Sequence, residues 1–405
     1  MRRDVAALAA GQGRQALLFH CQHALGIGHL TRSFALAAAL ARDFRVVFLN
    51  GGRMPAGLHP PPSIEIVHLP ALGMDEAHAL VSHQAGRGLA EAMAARRAAI
   101  DAVVDALRPA VLVVELFPFG RKKLTGEILP LIRRVRRDAA AKIVCSLRDI
   151  LVDARADQQH HDDRARWLAE RYFDAVLVHA DPALARLEDT FRPRRPLRTP
   201  LHYTGYVVPE RTAARDSVRG AHLLVSAGGG IVGGGLLRSA LAARALLRDP
   251  ALPMRLVAGP FLPEDEWQAL RVATRGMEGI ELVRQVPDMA LEMRSARASL
   301  SQCGYNTALD IVVSGAPALV VPYTTASENE QRARAGRLAT LGALQWLDAP
   351  APAPADLAAA IDALLRFRPR PSALDLSGAA ESARRLRALC DMPTSSGYEV
   401  GHAVV

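Results

Sequence analysis

The run Ser301-Gln302-Cys303-Gly304-Tyr305-Asn306-Thr307-Ala308-Leu309-Asp310 sets an amide, a hydroxyl and a carboxylate within one loop and the start of one helix. After it come a helix stop at Gly315, a strand-like stretch from Ala318 to Pro322, and Glu328-Asn329-Glu330-Gln331 opening a further helix. That order gathers Gly304, Asn306, Thr307, Asp310, Glu330 and Gln331 around one crevice, which suits holding a nucleotide. Asp310 has two readings on spacing alone. Thr307-x-x-Asp310 fits a capping box, with Thr307 as N-cap and the acid at the third helical position. The same carboxylate could instead accept both hydroxyls of a ribose as charge-assisted hydrogen bonds.

Each half of the chain opens with a glycine-bearing strand-to-helix turn. The second, Ser226-Ala227-Gly228-Gly229-Gly230-Ile231-Val232-Gly233-Gly234-Gly235, ends with six glycines in eight residues. Such a turn exposes many amides and little side-chain bulk, as a diphosphate cradle requires, so Ser226, Gly228, Gly229 and Gly230 are candidate phosphate contacts. The first turn runs from His20 through Gly26-Ile27-Gly28-His29-Leu30-Thr31-Arg32. His29 falls at a helix start on the carboxyl edge of a sheet, where a cationic helix end keeps a histidine neutral and able to act as a base. Gly28 and Arg32 flank it. The plainer reading is a histidine that caps or packs.

Gly228-x-Gly230-x-x-Gly233 matches the dinucleotide fingerprint in form, but no acid ends the next strand at Val257-Ala258-Gly259-Pro260. The first turn likewise leads to a strand ending Leu49-Asn50-Gly51, so nicotinamide and flavin chemistry is disfavoured. Glu115 ends a strand and would face the cleft, able to act on an acceptor hydroxyl. Arg148 and Asp149 end another and could line the same cleft, or form a structural ion pair. His160-His161-Asp162-Asp163 resembles a metal site only in composition and reads as a solvated helix start. No metal-ligand spacing occurs, and neither a metal nor a resident cofactor is expected.

These residues need a scaffold, and the chain is long enough for two. At 405 residues, half of them hydrophobic, two domains are expected. No apolar run reaches the roughly 18–20 residues of a membrane span. The segment Val5 to Ala10 behind Met1-Arg2-Arg3 is short for a secretory signal, so a cytoplasmic protein is expected. Four isolated cysteines imply neither a disulfide framework nor a zinc knuckle. The net charge of +9 attracts anions. Nucleic acid is not expected, because aromatics are not interleaved with the basic residues. Runs such as Arg133-Arg134-Val135-Arg136-Arg137 read as solvated helix faces, or more sharply as a surface for anionic lipid headgroups.

Short apolar runs alternate with alanine-rich helical stretches, first from Ala16–Cys21 to Ala175–Val178 and again from Leu223–Ser226 to Ala318–Val321. That repetition argues for an α/β protein, two Rossmann-like domains whose parallel sheets face each other across a cleft. The Pro- and Arg-rich segment Phe191–Tyr206 is the natural linker. The expected division is residues 14–205 for an acceptor-binding domain, 206–375 for a donor-binding domain, and 376–405 for a last helix and loose tail.

In layout, residues 14–375 resemble the two-Rossmann-domain glycosyltransferases called GT-B, nearest the group of the N-acetylglucosaminyltransferase that completes peptidoglycan lipid II. The motif-level likeness lies in the two turns and at residues 301–342: Asp310 seven residues before Pro317, the strand end Val320-Val321-Pro322, Gln331 and Gly342. The resemblance implies that Asp310 holds the ribose, although the family commonly has Glu there. It also implies that Glu330 and Gln331 approach the donor sugar and that the Ser226–Gly230 turn takes the diphosphate. Where that family has an amide on the helix after Gln331, this chain has Arg334, a departure that bears on which sugar is held. The Gly26-x-Gly28-His29-x-x-Arg32 turn departs from that group and is similar to the UDP-sugar hydrolase of pseudaminic acid biosynthesis, whose matching histidine activates water. The whole pattern looks most like predicted bacterial glycosyltransferases that share the Gly-His-Leu-Thr-Arg start.

The resemblance therefore implies a metal-independent, inverting transferase. Its donor would be a nucleoside-diphosphate sugar, UDP-linked for preference; the basic charge of the chain adds the expectation of a lipid-linked or cell-surface polysaccharide precursor as acceptor, met at the inner face of the plasma membrane. His29 or Glu115 would deprotonate the acceptor, and domain closure would exclude water. A UDP-sugar hydrolase, a sugar-nucleotide 2-epimerase and a non-catalytic nucleotide-sugar sensor are the alternatives.

Overall fold

A computed structural model describes residues 13–23, 28–55, 57–75, 79–84, 86–138, 140–153, 155–210, 219–325, 328–349 and 351–391. Gly26 and Ile27 of the first turn, the Met1–Ala10 start and the tail from Pro393 lie outside them. The first half runs β1 (Ala16–Cys21), α1 (Gly28–Leu40), β2 (Arg45–Asn50), β3 (Glu65–His68), β4 (Leu72–Met74), β5 (Leu80–Ser82), α2 (Leu89–Leu107), β6 (Val111–Glu115), α3 (Thr125–Val135), β7 (Lys142–Arg148), α4 (Gln158–Tyr172), β8 (Ala175–His179) and β9 (Leu201–Tyr203). Seven of its strands form one parallel sheet in the order β3-β2-β1-β6-β7-β8-β9. The strands are apolar at almost every position because helices cover both faces: Leu17, Leu18 and Phe19 of β1 are all fully buried.

The second half runs β10 (Leu223–Ser226), α5 (Gly234–Arg244), β11 (Met254–Val257), α6 (Glu264–Ala273), β12 (Ile280–Val283), α7 (Met289–Ser295), β13 (Ala298–Ser301), α8 (Tyr305–Ser314), β14 (Ala318–Val320), α9 (Glu330–Thr340), β15 (Gln345–Trp346), α10 (Pro354–Leu364) and α11 (Gly378–Asp391). Its six strands are again parallel, in the order β12-β11-β10-β13-β14-β15. The expected α/β architecture of two parallel sheets is the one observed.

Two local departures have physical causes. The segment read as a linker ends in β9, an edge strand paired with β8, so the crossing to the second sheet begins only at Thr204. After α10 the chain returns to the first domain. Val207 bridges Ser377 in antiparallel fashion, and α11 buries Ala383 and Leu386 against Leu36 and Leu40 of α1. The last helix thus packs as part of the first domain's core. One apolar core also runs on from the first sheet into the second through Tyr206 and Tyr305.

Candidate functional site

In the first sheet the chain winds away in opposite directions from β1 and β6, and in the second from β10 and β13. An open parallel sheet leaves a crevice at the carboxyl ends of such a strand pair. The singled-out residues sit at these two crevices. His29 opens α1 just past β1, and Glu115 is the last residue of β6. Gly228–Gly230 follow β10, and Gly304–Asp310 follow β13.

On the first-domain side, His29 Nδ1 lies 2.6 Å from Glu115 Oε1, to which Arg32 Nη2 also donates at 2.6 Å. Arg121 Nη2 donates to the other carboxylate oxygen at 3.2 Å. The Glu115 side chain is wholly buried, while that of His29 keeps 16% of its surface. Burial alone would raise Glu115, but His29, Arg121 and Arg32 outweigh it and hold the carboxyl well below the usual range. Burial pulls His29 down to about 3, with Arg121 and Arg148 adding to the effect against the opposing pull of Glu115. The imidazole is therefore neutral at physiological pH, with burial the larger cause and not the helix end. An ionised carboxylate at Nδ1 places the ring proton there and leaves Nε2 with a free lone pair. His29 can act as a base, whereas the enclosed Glu115 orients it. Arg121 reaches back to Glu115 because Leu116 (φ 65°) and Arg121 (φ 59°) turn the intervening loop through left-handed backbone, which costs about 1–3 kcal/mol per residue.

On the second-domain side, α8 begins at Tyr305 with Gly304 as N-cap and no side-chain cap. The capping-box reading is thereby overturned. Thr307 is the third residue of the helix, and Asp310 lies in the second turn. The amides of the first turn have no helical acceptor and point toward the crevice. A methyl group on Gly228 would sit 3.9 Å from Thr307 Oγ1, so the glycine turn and the α8 amino end adjoin. Two of the turn's glycines serve packing. At Gly230 (φ +96°) a Cβ would meet Leu262 N at 2.6 Å, and at Gly233 it would meet Ala227 Cβ at 2.2 Å. Asn306 reaches over the cleft, its Nδ2 donating to Gly28 O at 3.2 Å.

Of the remaining candidates, Arg148, Glu330 and Asp149 join the two domains, whereas Gln331 bonds within the second. Arg148 Nη1 donates to Glu330 Oε1 at 3.0 Å, joining β7 to α9. Gln331 Oε1 accepts from the amides of Cys303 (3.0 Å) and Tyr323 (3.2 Å), leaving its amide nitrogen without a hydrogen bond among the described residues. Asp149 is fully buried and takes a bidentate pair from Arg334 at 2.8 Å each, so it serves the interface and not an acceptor. Arg334, read from sequence as standing where a sugar-facing amide is expected, faces Asp149 and the carbonyl of Cys303 instead. Tyr305 and Arg121 escape the sequence reading. Tyr305 looks like an ordinary core residue, and Arg121 stands six residues from the carboxylate it serves, in a loop without regular spacing. Among the described residues, no group of three or more His, Cys, Asp or Glu side chains could hold a metal ion.

Residues 262–387 match the glycosyltransferase family 28 C-terminal domain. The chain is 30% identical over 138 residues to the UDP-N-acetylglucosamine–N-acetylmuramyl-(pentapeptide) pyrophosphoryl-undecaprenol N-acetylglucosamine transferase of Rhizobium johnstonii, covering 34% of this chain and 37% of that one. It is 33% identical over 136 residues to the same enzyme of Rhizobium meliloti, covering 33% and 35%. The chain thus spans about a third of the length of these curated relatives. Among solved structures it resembles a UDP-glucosyltransferase of Polygonum tinctorium (TM-score 0.58, 16% identity, 95% of this chain and 100% of that one). It also resembles the calicheamicin glycosyltransferase CalG4 (TM-score 0.56, 18%, 93% and 98%) and Acinetobacter baumannii MurG (TM-score 0.53, 16%, 92% and 99%). These matches meet the resemblance drawn from the motifs: the chain has the GT-B fold, and its residues 262–387 are similar to the family 28 glycosyltransferase C-terminal domain.

Proposed function

We propose that this protein is a glycosyltransferase that moves a sugar from a nucleoside-diphosphate sugar, UDP-linked for preference, to an acceptor hydroxyl. The observation that carries this reading is His29 hydrogen-bonded to the buried Glu115 carboxylate beside the amino end of α8, the two domains being joined there by the hydrogen bond from Asn306 to Gly28. In this reading the diphosphate lies between the Gly228–Gly229 turn and the first turn of α8, where unpaired amides and the helix dipole offset its charge without a metal ion. Asp310 holds the ribose. His29 Nε2 takes the proton of the acceptor hydroxyl as its oxygen attacks the anomeric carbon opposite the diphosphate, and Glu115 stabilises the imidazolium that forms. A single displacement of this kind inverts the anomeric centre.

Calorimetric titration of UDP tests the donor half. Asp310→Ala weakens binding by about 1.5–3 kcal/mol if the carboxylate makes charged hydrogen bonds to the ribose. Equal affinity in the variant would remove Asp310 from the site.

The curated relatives act on a pyrophosphoryl-undecaprenol substrate, and we extend the proposal to a lipid-linked acceptor met at an anionic membrane face. Among the described residues no helix is long and apolar enough to cross a membrane, so the contact would be peripheral. Exposed Arg97, Lys122, Lys123, Arg133 and Arg137, with the half-exposed Trp167, support it. Flotation with vesicles rich in anionic lipid, reversed by high salt, is the expected result; no flotation at low salt would contradict it.

A further inference from the structure

The first two residues of α8 reach out of the second domain to the base in the first. Asn306 Nδ2 donates to the carbonyl of Gly28, the residue before His29, at 3.2 Å. The Tyr305 ring is buried, with the Arg32 guanidinium 5.2 Å from its centroid on the way to Glu115. Arg334 lies 5.9 Å from the same ring. The Tyr305 hydroxyl donates to His179 O at 3.1 Å and accepts from the Val207 amide at 3.2 Å. The ring thus cannot turn away from Arg32 without breaking hydrogen bonds to the first sheet and to the interdomain crossing. A cation held against an aromatic face in a desolvated site is confined in direction as well as position.

We propose that Tyr305 and Asn306 are positioning residues for His29, so that the helix assigned to the nucleotide also sets the geometry of the base across the domain boundary. The proposal rests on the transferase reading. One path runs from Tyr305 through Arg32 and Glu115 to His29 Nδ1. The other runs from Asn306 through the Gly28 carbonyl to the His29 backbone. The base is complete only where both domains meet, and neither residue touches the reacting atoms.

The groups facing His29 make the consequence measurable. They are Glu115 from β6, Arg32 on its own helix, Arg121 from the loop after β6, and Arg148 at the end of β7 with its partner Glu330 from α9. Packed among them, His29 stays neutral far below the ordinary histidine range. When Arg32 is released, Glu115 shifts, water enters, and the depressed pKa of His29 moves back up toward 6.5.

The test uses full-length protein with 15N-labelled histidine, the His29 ring being assigned from the resonance lost in His29→Asn. In wild type the ring remains neutral with its proton on Nδ1 down to pH 5. Tyr305→Leu and Asn306→Ala bring its midpoint into the pH 5–7 window and mix the two tautomers, whereas Tyr305→Phe, which keeps the ring face but loses the two hydroxyl hydrogen bonds, shifts the titration less than Tyr305→Leu does. In turnover assays the first two variants lower kcat tenfold or more, leave the donor KM within threefold and acquire an acid limb in that window. Asn306→Ala covers the case in which Tyr305→Leu fails to fold. Unchanged titration and tautomer of His29 in Asn306→Ala and in folded Tyr305→Leu would overturn the proposal. A changed His29 in a protein that binds no nucleotide sugar would leave positioning intact and remove the transferase reading instead.

Discussion

His29→Ala lowers sugar transfer by about 10²–10⁴-fold, the range typical of a positioned general base, while UDP affinity stays within twofold. The expectation follows from the division of labour in the cleft. In the proposed reading the imidazole serves the acceptor, and the Gly228 turn and α8 take the nucleotide. Each tenfold loss corresponds to about 1.4 kcal/mol of transition-state stabilisation, so the substitution removes roughly 3–5.5 kcal/mol. The pH dependence follows from the same geometry. A base whose pKa is depressed to about 3 gains its proton only below that value, so wild-type kcat shows no acid limb from His29 between pH 5 and 8. Turnover is measured as nucleoside diphosphate released in the presence of an acceptor-containing lipid extract. Loss of UDP affinity together with kcat would instead make His29 a donor ligand.

Asp149→Ala destabilises the protein by about 3–5 kcal/mol, because it leaves the buried guanidinium of Arg334 without its carboxylate. All three nitrogens of that group are engaged, two by Asp149 and one by the Cys303 carbonyl, and both side chains are withdrawn from solvent. The double replacement Asp149→Leu with Arg334→Met costs far less than either single change, since it removes both charges together. Burial would raise the Asp149 pKa, but Arg334 outweighs it and depresses the carboxyl below its ordinary value. The contribution is therefore fully present above about pH 4, the unfolded value, and is lost as pH falls through the depressed folded value. Urea unfolding of wild type and these variants at pH 7 and below about pH 4 measures both effects; an Asp149→Ala cost under about 1 kcal/mol would show the pair to be incidental.

The legible parts of the fold were those with a strong local pattern. β1, β6, β10 and β13 carry apolar runs because both faces of their sheets are covered, and the turns after two of them are dense in glycine. Those four strands hold the crevices, so the site's framework could be read with them. The short edge strands β9 and β15 could not, since two or three half-buried residues leave no periodicity. Spacing left the start of α8 open between two readings, and the capping box fails because Gly304 ends the loop in extended backbone (φ −62°, ψ 161°) and no side chain announces the cap. Gly230 and Gly233 read as part of a phosphate cradle, yet their lack of a side chain is demanded by neighbouring backbone and by Ala227. Arg334 and Asp149 stand 185 residues apart, and Asn306 and Gly28 stand 278 apart. Contacts at such separation follow from how the two sheets are set against each other, which no local spacing encodes.

In the proposed reading that setting brings a base from one domain to the nucleotide site of the other, and occupancy of the site is the central claim. A thermal-shift series with nucleosides, nucleoside mono- and diphosphates, nucleoside-diphosphate sugars and inorganic pyrophosphate tests it most directly, because a ligand that binds only the folded protein stabilises it by about 2.7 kcal/mol at one hundred times its Kd. A rise in Tm with UDP and UDP-sugars, larger than with UMP or uridine, is the predicted result. No shift with any nucleotide would contradict the account.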